Sequence, residues 1–322
     1  MTSTNPALDE AGVPAGFATT GGFDPSRADG RGFADTWRAF LTATRLGYLM
    51  EANWTDPLLF FIYSVAKPLA SVFILVFMIN VISGGSAALR AFVVVGSALW
   101  SFVFSGIAGL GWAILDDRER YRMLRYVYVS PADFLVVIMG RGVARVGVGI
   151  AGSLISLAVG IVFLGVDFDP TRVDWPVLVV AMLLGLWSVV AIGLTIAAIC
   201  IQTRQDSWQY PEAVAGALFL ISGAVFPLAV LPGPIQALGL LTPLPWWIEG
   251  VRRALLPHSP TAIGGPGSLF AQVTGAGDPG APFTLLALLV TGALVTLAAI
   301  VTFRRSERRA KDLGLFDRTT GS

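Results

Sequence analysis

Apolar residues in this chain fall in long runs, not in the alternating pattern of half-buried strands. The runs 57–82, 90–115, 133–166, 176–201, 211–231 and 283–303 can each form a helix that crosses the hydrocarbon layer, which takes about 20 residues. The pattern predicts an all-α integral membrane protein with six transmembrane helices. Ahead of them, in 33–55, Phe33, Trp37, Phe40, Leu41, Thr44, Tyr48 and Leu49 recur near helical spacing, with Arg38 and Arg45 on the other side. An amphipathic helix of that kind lies in the headgroup layer. Residues 1–32 are rich in Gly, Ala, Ser, Thr, Asp and Pro without apolar periodicity and are expected to form a disordered tail.

Within the runs, small residues are spaced for helix packing. Ser97, Ser101, Ser105 and Gly109 recur every fourth residue in the second, and Gly149, Ser153, Ser156 and Gly160 share a face of the third. Small faces let helices approach closely in lipid, so these two stripes are expected to meet. Lys67 and Pro68 interrupt the first run. A lysine inside a span costs about 2.5–3.5 kcal/mol, which makes Lys67 a candidate in-membrane polar site. The alternative is that its long stem reaches the interface.

After the fifth run the chain stays apolar but carries Pro227, Pro232, Pro234, Pro243, Pro245 and Pro257, so no single straight helix can cover it. Two short helices over 232–250, re-entering the outer leaflet, reconcile apolar character with broken backbone. Trp246 and Trp247 suit an interfacial belt there. The Gly- and Pro-rich stretch 251–281 is expected to be a flexible outer loop, and 304–322 a basic cytoplasmic tail.

Composition agrees with the pattern. At 55% hydrophobic and 13% charged over 322 residues, with a mean hydropathy of +0.72, the chain is too apolar for a water-soluble globule of this size. A net charge of +1 gives no overall basic field to favour nucleic acid. Distribution matters more: 17 Lys and Arg fall on one side of the six runs and 4 on the other, with Lys67 inside a run. That bias places both termini in the cytoplasm of a multi-pass cell-membrane protein. The densest segment, 116–145, holds Arg118, Arg120, Arg122, Arg125, Arg141 and Arg145 between two runs and is expected to be a cytoplasmic docking surface for a soluble partner. Asp116 and Asp117, adjacent on a helix, point different ways and are read as interfacial rather than as a metal pair.

Chemistry of its own is not written in this chain. One cysteine, Cys200, and one histidine, His258, exclude an internal disulfide and a zinc site. Neither Lys67 nor Lys311 is followed by Ser or Thr, so there is no phosphate-binding loop of the Walker type, and no serine sits in a G-x-S-x-G turn. No cofactor or metal is expected on the chain, and no catalysis.

The segment ERYRMLRYVYVSPADFLVVIMGR, from Glu119 through Ser130-Pro131 to Gly140-Arg141, resembles the stretch between the second and third helices of type-2 ABC exporter permeases. The later SGAVFPLAVLPGPIQALGLLTPLPWWIEGVRRAL resembles the signature that follows that family's fifth helix. The resemblance implies that 33–55 is an elbow helix and that 116–132 holds a coupling helix seated in a cleft of a separate nucleotide-binding ATPase subunit. Glu119, Arg120, Arg122, Leu124, Tyr128, Ser130 and Pro131 would then face that subunit, which carries the ATP and Mg. It further implies re-entrant helices at the outer mouth, with Phe226, Pro227, Pro232, Pro243, Pro245 and Trp246, and a second permease copy, identical or homologous. An amphiphilic cargo, drug-like, lipid or lipid-linked glycan, is expected because no charged pair lies deep in the runs. An ATPase-independent secondary transporter or channel would need acidic or histidine residues at mid-membrane, and a scaffold would use the arginine loop only to recruit a soluble protein. An importer permease would carry an E-A-A-x-x-x-G pattern, which is missing.

Overall fold

The computed structural model describes residues 32–52, 66, 69–78, 80–81, 86–130, 132–166, 168–203, 209–256 and 259–314. Among these, all regular structure is helical: α1 (Phe33–Ala52), α2 (Leu69–Met78), α3 (Ala87–Leu115), α4 (Leu124–Val129), α5 (Phe134–Leu164), α6 (Trp175–Gln202), α7 (Gln209–Ile221), α8 (Gly233–Leu241), α9 (Pro243–Leu255), α10 (Leu269–Thr274) and α11 (Ala281–Asp312). Four helical stretches, Ala87–Arg120, Phe134–Leu164, Trp175–Gln202 and Ala281–Asp312, are long and apolar enough to cross a membrane. The chain is therefore a multi-pass membrane protein. Half of the expected first span, including Lys67 and Pro68, and residues 1–31 of the expected tail lie outside the described residues.

The bundle is built around α3. It packs against α5 on one side and α6 on another, α6 carries α11 and α9, and α1 lies across α5. Small residues set these distances. A Cβ on Gly149 would stand 2.5 Å from Ser105 Cβ, one on Gly109 3.0 Å from Arg145 Cβ, and one on Gly160 would overlap Val94. Ser97, Ser153 and Ser156 are buried as well, while Ser101 and Ser105 are half-buried. The α1/α5 crossing uses a second small set: a Cβ on Gly140 would meet the Phe40 carbonyl at 2.7 Å, and one on Gly47 would meet Ala144 at 3.0 Å. Phe33, Trp37 and Tyr48 of α1 stay exposed.

Several features differ from the sequence-based expectation. The helix expected over 211–231 ends at Ile221, because Gly223 takes a left-handed φ of 70° and turns the chain. Phe226 and Pro227 lie in the connection that follows, which closes in a short 3-10 turn at Leu228–Val230. Pro232 caps α8, while Pro243 and Pro245 open α9, which runs past 250 to Leu255. The tryptophans form no belt: Trp247 is wholly buried between Gly185 and Phe102, and Trp246 sits on Phe270 and Phe283 with its Nε1 donating to Leu240 O at 2.8 Å. The stretch expected to be flexible is a packed cap, with Ala262, Ile263 and Phe270 buried, Ala262 N donating to Glu249 Oε2 at 2.8 Å and Leu269 N to Gln236 Oε1 at 2.7 Å. At the other end α11 continues to Asp312, since Ser306 Oγ donates to Ala198 O at 2.5 Å and Ala310 is buried.

Arg252 holds the broken part in place. Its side chain is 1% exposed; Nη2 lies 3.2 Å from each of the carbonyls of Phe92, Gly223 and Ala224, and the guanidinium sits 3.5 Å above the Phe92 ring. One cation thus gathers the start of α3 and the turn after α7. Gly96 makes room for it, because a Cβ there would collide with the Ala224 carbonyl and come within 2.6 Å of Arg252 Nη2. Gly96→Ala is expected to cost about 1–3 kcal/mol of stability through overpacking. Gly147→Ala, with nothing within 4 Å of the new methyl, is expected to be neutral or stabilising by up to about 1 kcal/mol. Thermal unfolding of the detergent-purified proteins checks the contrast.

Candidate functional site

The end of α3 does not fray into a polar loop. It continues through one π turn, Asp116–Arg120, closed by Tyr121 N donating to Asp116 O at 2.8 Å. The wider turn places adjacent carboxylates against α5, where Arg141 and Arg145 stand one helical turn apart. Asp117 pairs with Arg141 and Asp116 with Arg145, and Asp116, Asp117 and Arg141 are buried. Asp116 and Asp117, expected to be interfacial and not a metal pair, are engaged in these ion pairs at the end of the bundle. Both pairs sit at one end of the bundle, so they leave the expectation of no charged pair deep in the runs as it stood.

Arg118 extends the cluster to a third helix. It is buried, with Nε donating to Glu119 Oε1 at 2.7 Å and Nη1 donating to Cys200 O at 3.0 Å and Thr203 O at 2.8 Å. Those carbonyls close the C-terminus of α6, where a cation is favoured by the helix dipole. A fourth helix joins through Arg304 of α11, which donates to Asp133 Oδ2 at 3.0 Å and Glu307 Oε2 at 3.2 Å, while Phe134 stacks on Phe303 with centroids 5.9 Å apart. Asp133 also caps α5, its Oδ1 accepting from Leu135 N at 2.9 Å. Burial opposes ionisation of Asp133. The hydrogen bond and charge of Arg304, with the Leu135 and Val136 N–H groups, outweigh it and hold the carboxyl below its usual range.

Between these anchors runs 121–132, folded around α4. Arg122 turns the chain with φ of 50°, an uncommon value for a residue with a side chain. Leu124 points inward and is 2% exposed, so it props the segment. Arg120, Arg122 and Tyr126 are exposed, Tyr126 by 63%. Ser130 Oγ donates to Val127 O at 2.7 Å and closes α4, while Glu119 is held by Arg118. The Tyr128 side chain and Pro131 lie outside the described residues. Of the six arginines expected to form a docking surface, Arg118, Arg141 and Arg145 therefore turn inward to ion pairs.

Beside the cluster lies a cavity of about 660 Å³, walled by α1, α3 with its π turn, α5 and the first turn of α7. Among the described residues no group of three or more His, Cys, Asp or Glu could hold a metal. Sequence reasoning missed the cluster because it read Asp116–Arg145 as one loop. The usable signal was the opposite charges at the facing ends of two consecutive apolar runs.

These features define a class: a multi-pass helical membrane protein whose polar structure gathers at one end of the bundle and carries a short exposed helix. Residues 42–256 match the model of the ABC-2 type transporter family, and the chain belongs to that family. It is thus a membrane component of ABC-type transport, the permease rather than a catalytic part. None of the curated proteins matches it significantly.

Removing one member of the Asp117–Arg141 pair is expected to cost about 3–5 kcal/mol, because the survivor remains buried and uncompensated. Asp117→Leu with Arg141→Met is expected to regain most of that loss. Unfolding midpoints of the two single variants and the double variant measure this. A double variant no better than the worse single one would contradict a pairwise role.

Proposed function

We propose that this chain is the membrane-spanning half of an ATP-driven exporter, with six spans, α1 as an elbow helix and α4 as the coupling helix that a separate nucleotide-binding subunit grips. Both termini and α4 lie in the cytoplasm, a placement that the distribution of Lys and Arg supports. Two copies, or one copy and a homologue, enclose the path. ATP and Mg stay on the partner subunit. The cargo is an amphiphile, since the long apolar faces of α5, α6 and α11 offer contact to greasy groups and no ion-binding set at mid-membrane is apparent in the sequence.

The observation that carries the proposal is mechanical. Force applied at α4 reaches α3 and α5 through covalent continuity, α5 again through Asp116 and Asp117, α6 through Arg118, and α11 through Asp133 and Arg304. A partner can shift the membrane part between conformations only by the difference in its affinity for the two, and a stiff handle lets that difference act on whole helices.

Arg122 and Tyr126 are exposed, so they test the grip at the surface of the handle. Arg122→Glu combined with Tyr126→Ala is expected to lower transport-coupled ATP hydrolysis by about tenfold or more, at unchanged amounts of protein in the membrane. Unaltered hydrolysis and transport would exclude α4 as the point of contact.

A further inference from the structure

The side that α11 turns away from the bundle changes character along its length without changing direction. Leu288, Gly292, Ala299, Phe303, Ser306 and Ala310 are buried and share one packed stripe at helical spacing. On the opposite side Val290, Leu294, Leu297 and Val301 are exposed, Leu294 by 62% and Leu297 by 63%. At about 3.6 residues per turn that exposed stripe continues through Arg305 and Arg308, with Arg309 beside it. The stripe is therefore apolar for about 16 Å, from Val290 to Val301 at 1.5 Å per residue, and cationic beyond. The hydrocarbon of one leaflet is about 15 Å deep.

The charges on this side are not spent within the bundle. Arg304 turns inward to Asp133 and Glu307, whereas Arg305, Arg308 and Arg309 are exposed and make no ion pair among the described residues. The helix cannot rotate them inward, because Ser306 Oγ donates to Ala198 O at 2.5 Å and Phe303 and Ala310 are buried against the bundle. α11 leaves the bilayer at its C-terminal end, and helical side chains slant toward the helix N-terminus. The three guanidinium groups therefore lean back toward the surface that the helix has just crossed. A helix dipole favours cations on any side of the last turns, so it does not account for three arginines gathered on the side that faces lipid. A guanidinium matches phosphate oxygens with paired N–H donors. We propose that this stripe seats an anionic phospholipid of the leaflet into which α11 emerges, with an acyl chain along 290–301 and the phosphate at Arg305, Arg308 and Arg309. In a zwitterionic lipid the headgroup's own ammonium offsets the phosphate, so the arginines discriminate by net charge, by about fivefold for each cation at the membrane surface.

The inference rests on α11 crossing a bilayer and not on the chain being an exporter, and its test contains no transport step. A bimane fluorophore is placed at Val301→Cys, one turn before Arg305 on the same stripe, in full-length protein carrying Cys200→Ala. The protein is reconstituted in nanodiscs of phosphatidylglycerol and phosphatidylcholine in equal parts, with one lipid or the other brominated in its acyl chains. Quenching then reports which lipid stands against the stripe. The expected result is a preference for phosphatidylglycerol of about fivefold or more. Arg305→Gln, Arg308→Gln and Arg309→Gln together should bring the ratio close to one, while Arg172→Gln, in the connection at the other end of the bundle, should leave it as it is. Without any substitution at the arginines, raising the salt from about 0.1 M to about 1 M shortens the Debye length from about 10 Å to about 3 Å and should erode the preference. A preference that survives the triple substitution, or that salt leaves untouched, would overturn the proposal. Equal quenching by the two lipids in the labelled parent would overturn it as well, and would leave this side of α11 to a water-borne acidic partner.

Discussion

Charges at the edge of a bilayer must be paired or hydrated, and at the end of α3 water has little access. Asp116, Asp117, Arg118 and Arg141 are all buried there, and each is matched by a group on a different stretch of chain. The pairs add little net stability, since desolvation takes back much of the attraction, but any departure from the matched arrangement is costly. Specific geometry is what such a cluster secures. The π turn, the close approach of α5 and the seating of the α6 terminus all follow from having to satisfy these groups together.

The opposite end of the bundle meets the same constraint with two consecutive arginines. Phe92 and Asp116 lie about 36 Å apart along α3 at 1.5 Å per residue. At the Phe92 end Arg252 draws three carbonyls together where α7 breaks, and Arg253 bridges Glu249 and Asp278 under the packed cap. Asp278 accepts from Arg253, which holds its carboxyl below the usual range. α3 is thus clamped by charge at both ends and packed through glycine and serine between them. That arrangement suits a helix that moves as a unit.

Periodicity made the long elements legible. Runs of apolar residues located α3, α5, α6 and α11 to within a few residues at most ends, because length and hydropathy are properties of the segment alone. The stripes through Ser105, Gly109, Gly149 and Gly160 could be read for the same reason. What escaped depended on tertiary partners. Trp246 and Trp247 look like interfacial residues until α6 supplies Gly185 as a seat and α8 supplies the Leu240 carbonyl. The stretch after α9 looks flexible until Glu249 and Gln236 satisfy its backbone. Arg118, Arg141 and Arg145 look like surface charge until the π turn brings the carboxylates inward. The family resemblance carried by the segments around Glu119 and Phe226 pointed to the right class because it depends on order and spacing along the chain.

The central claim is that α4 and the ends of α3, α5, α6 and α11 form one stiff body. Spin labels at Tyr126→Cys and Arg308→Cys, both exposed positions, in a background of Cys200→Ala, allow pulsed electron resonance to report the distance between α4 and the end of α11 in nanodiscs. The account predicts a single narrow distance distribution that broadens when Asp117→Asn opens the clamp. A broad distribution in the otherwise unaltered protein, unchanged by Asp117→Asn, would contradict it.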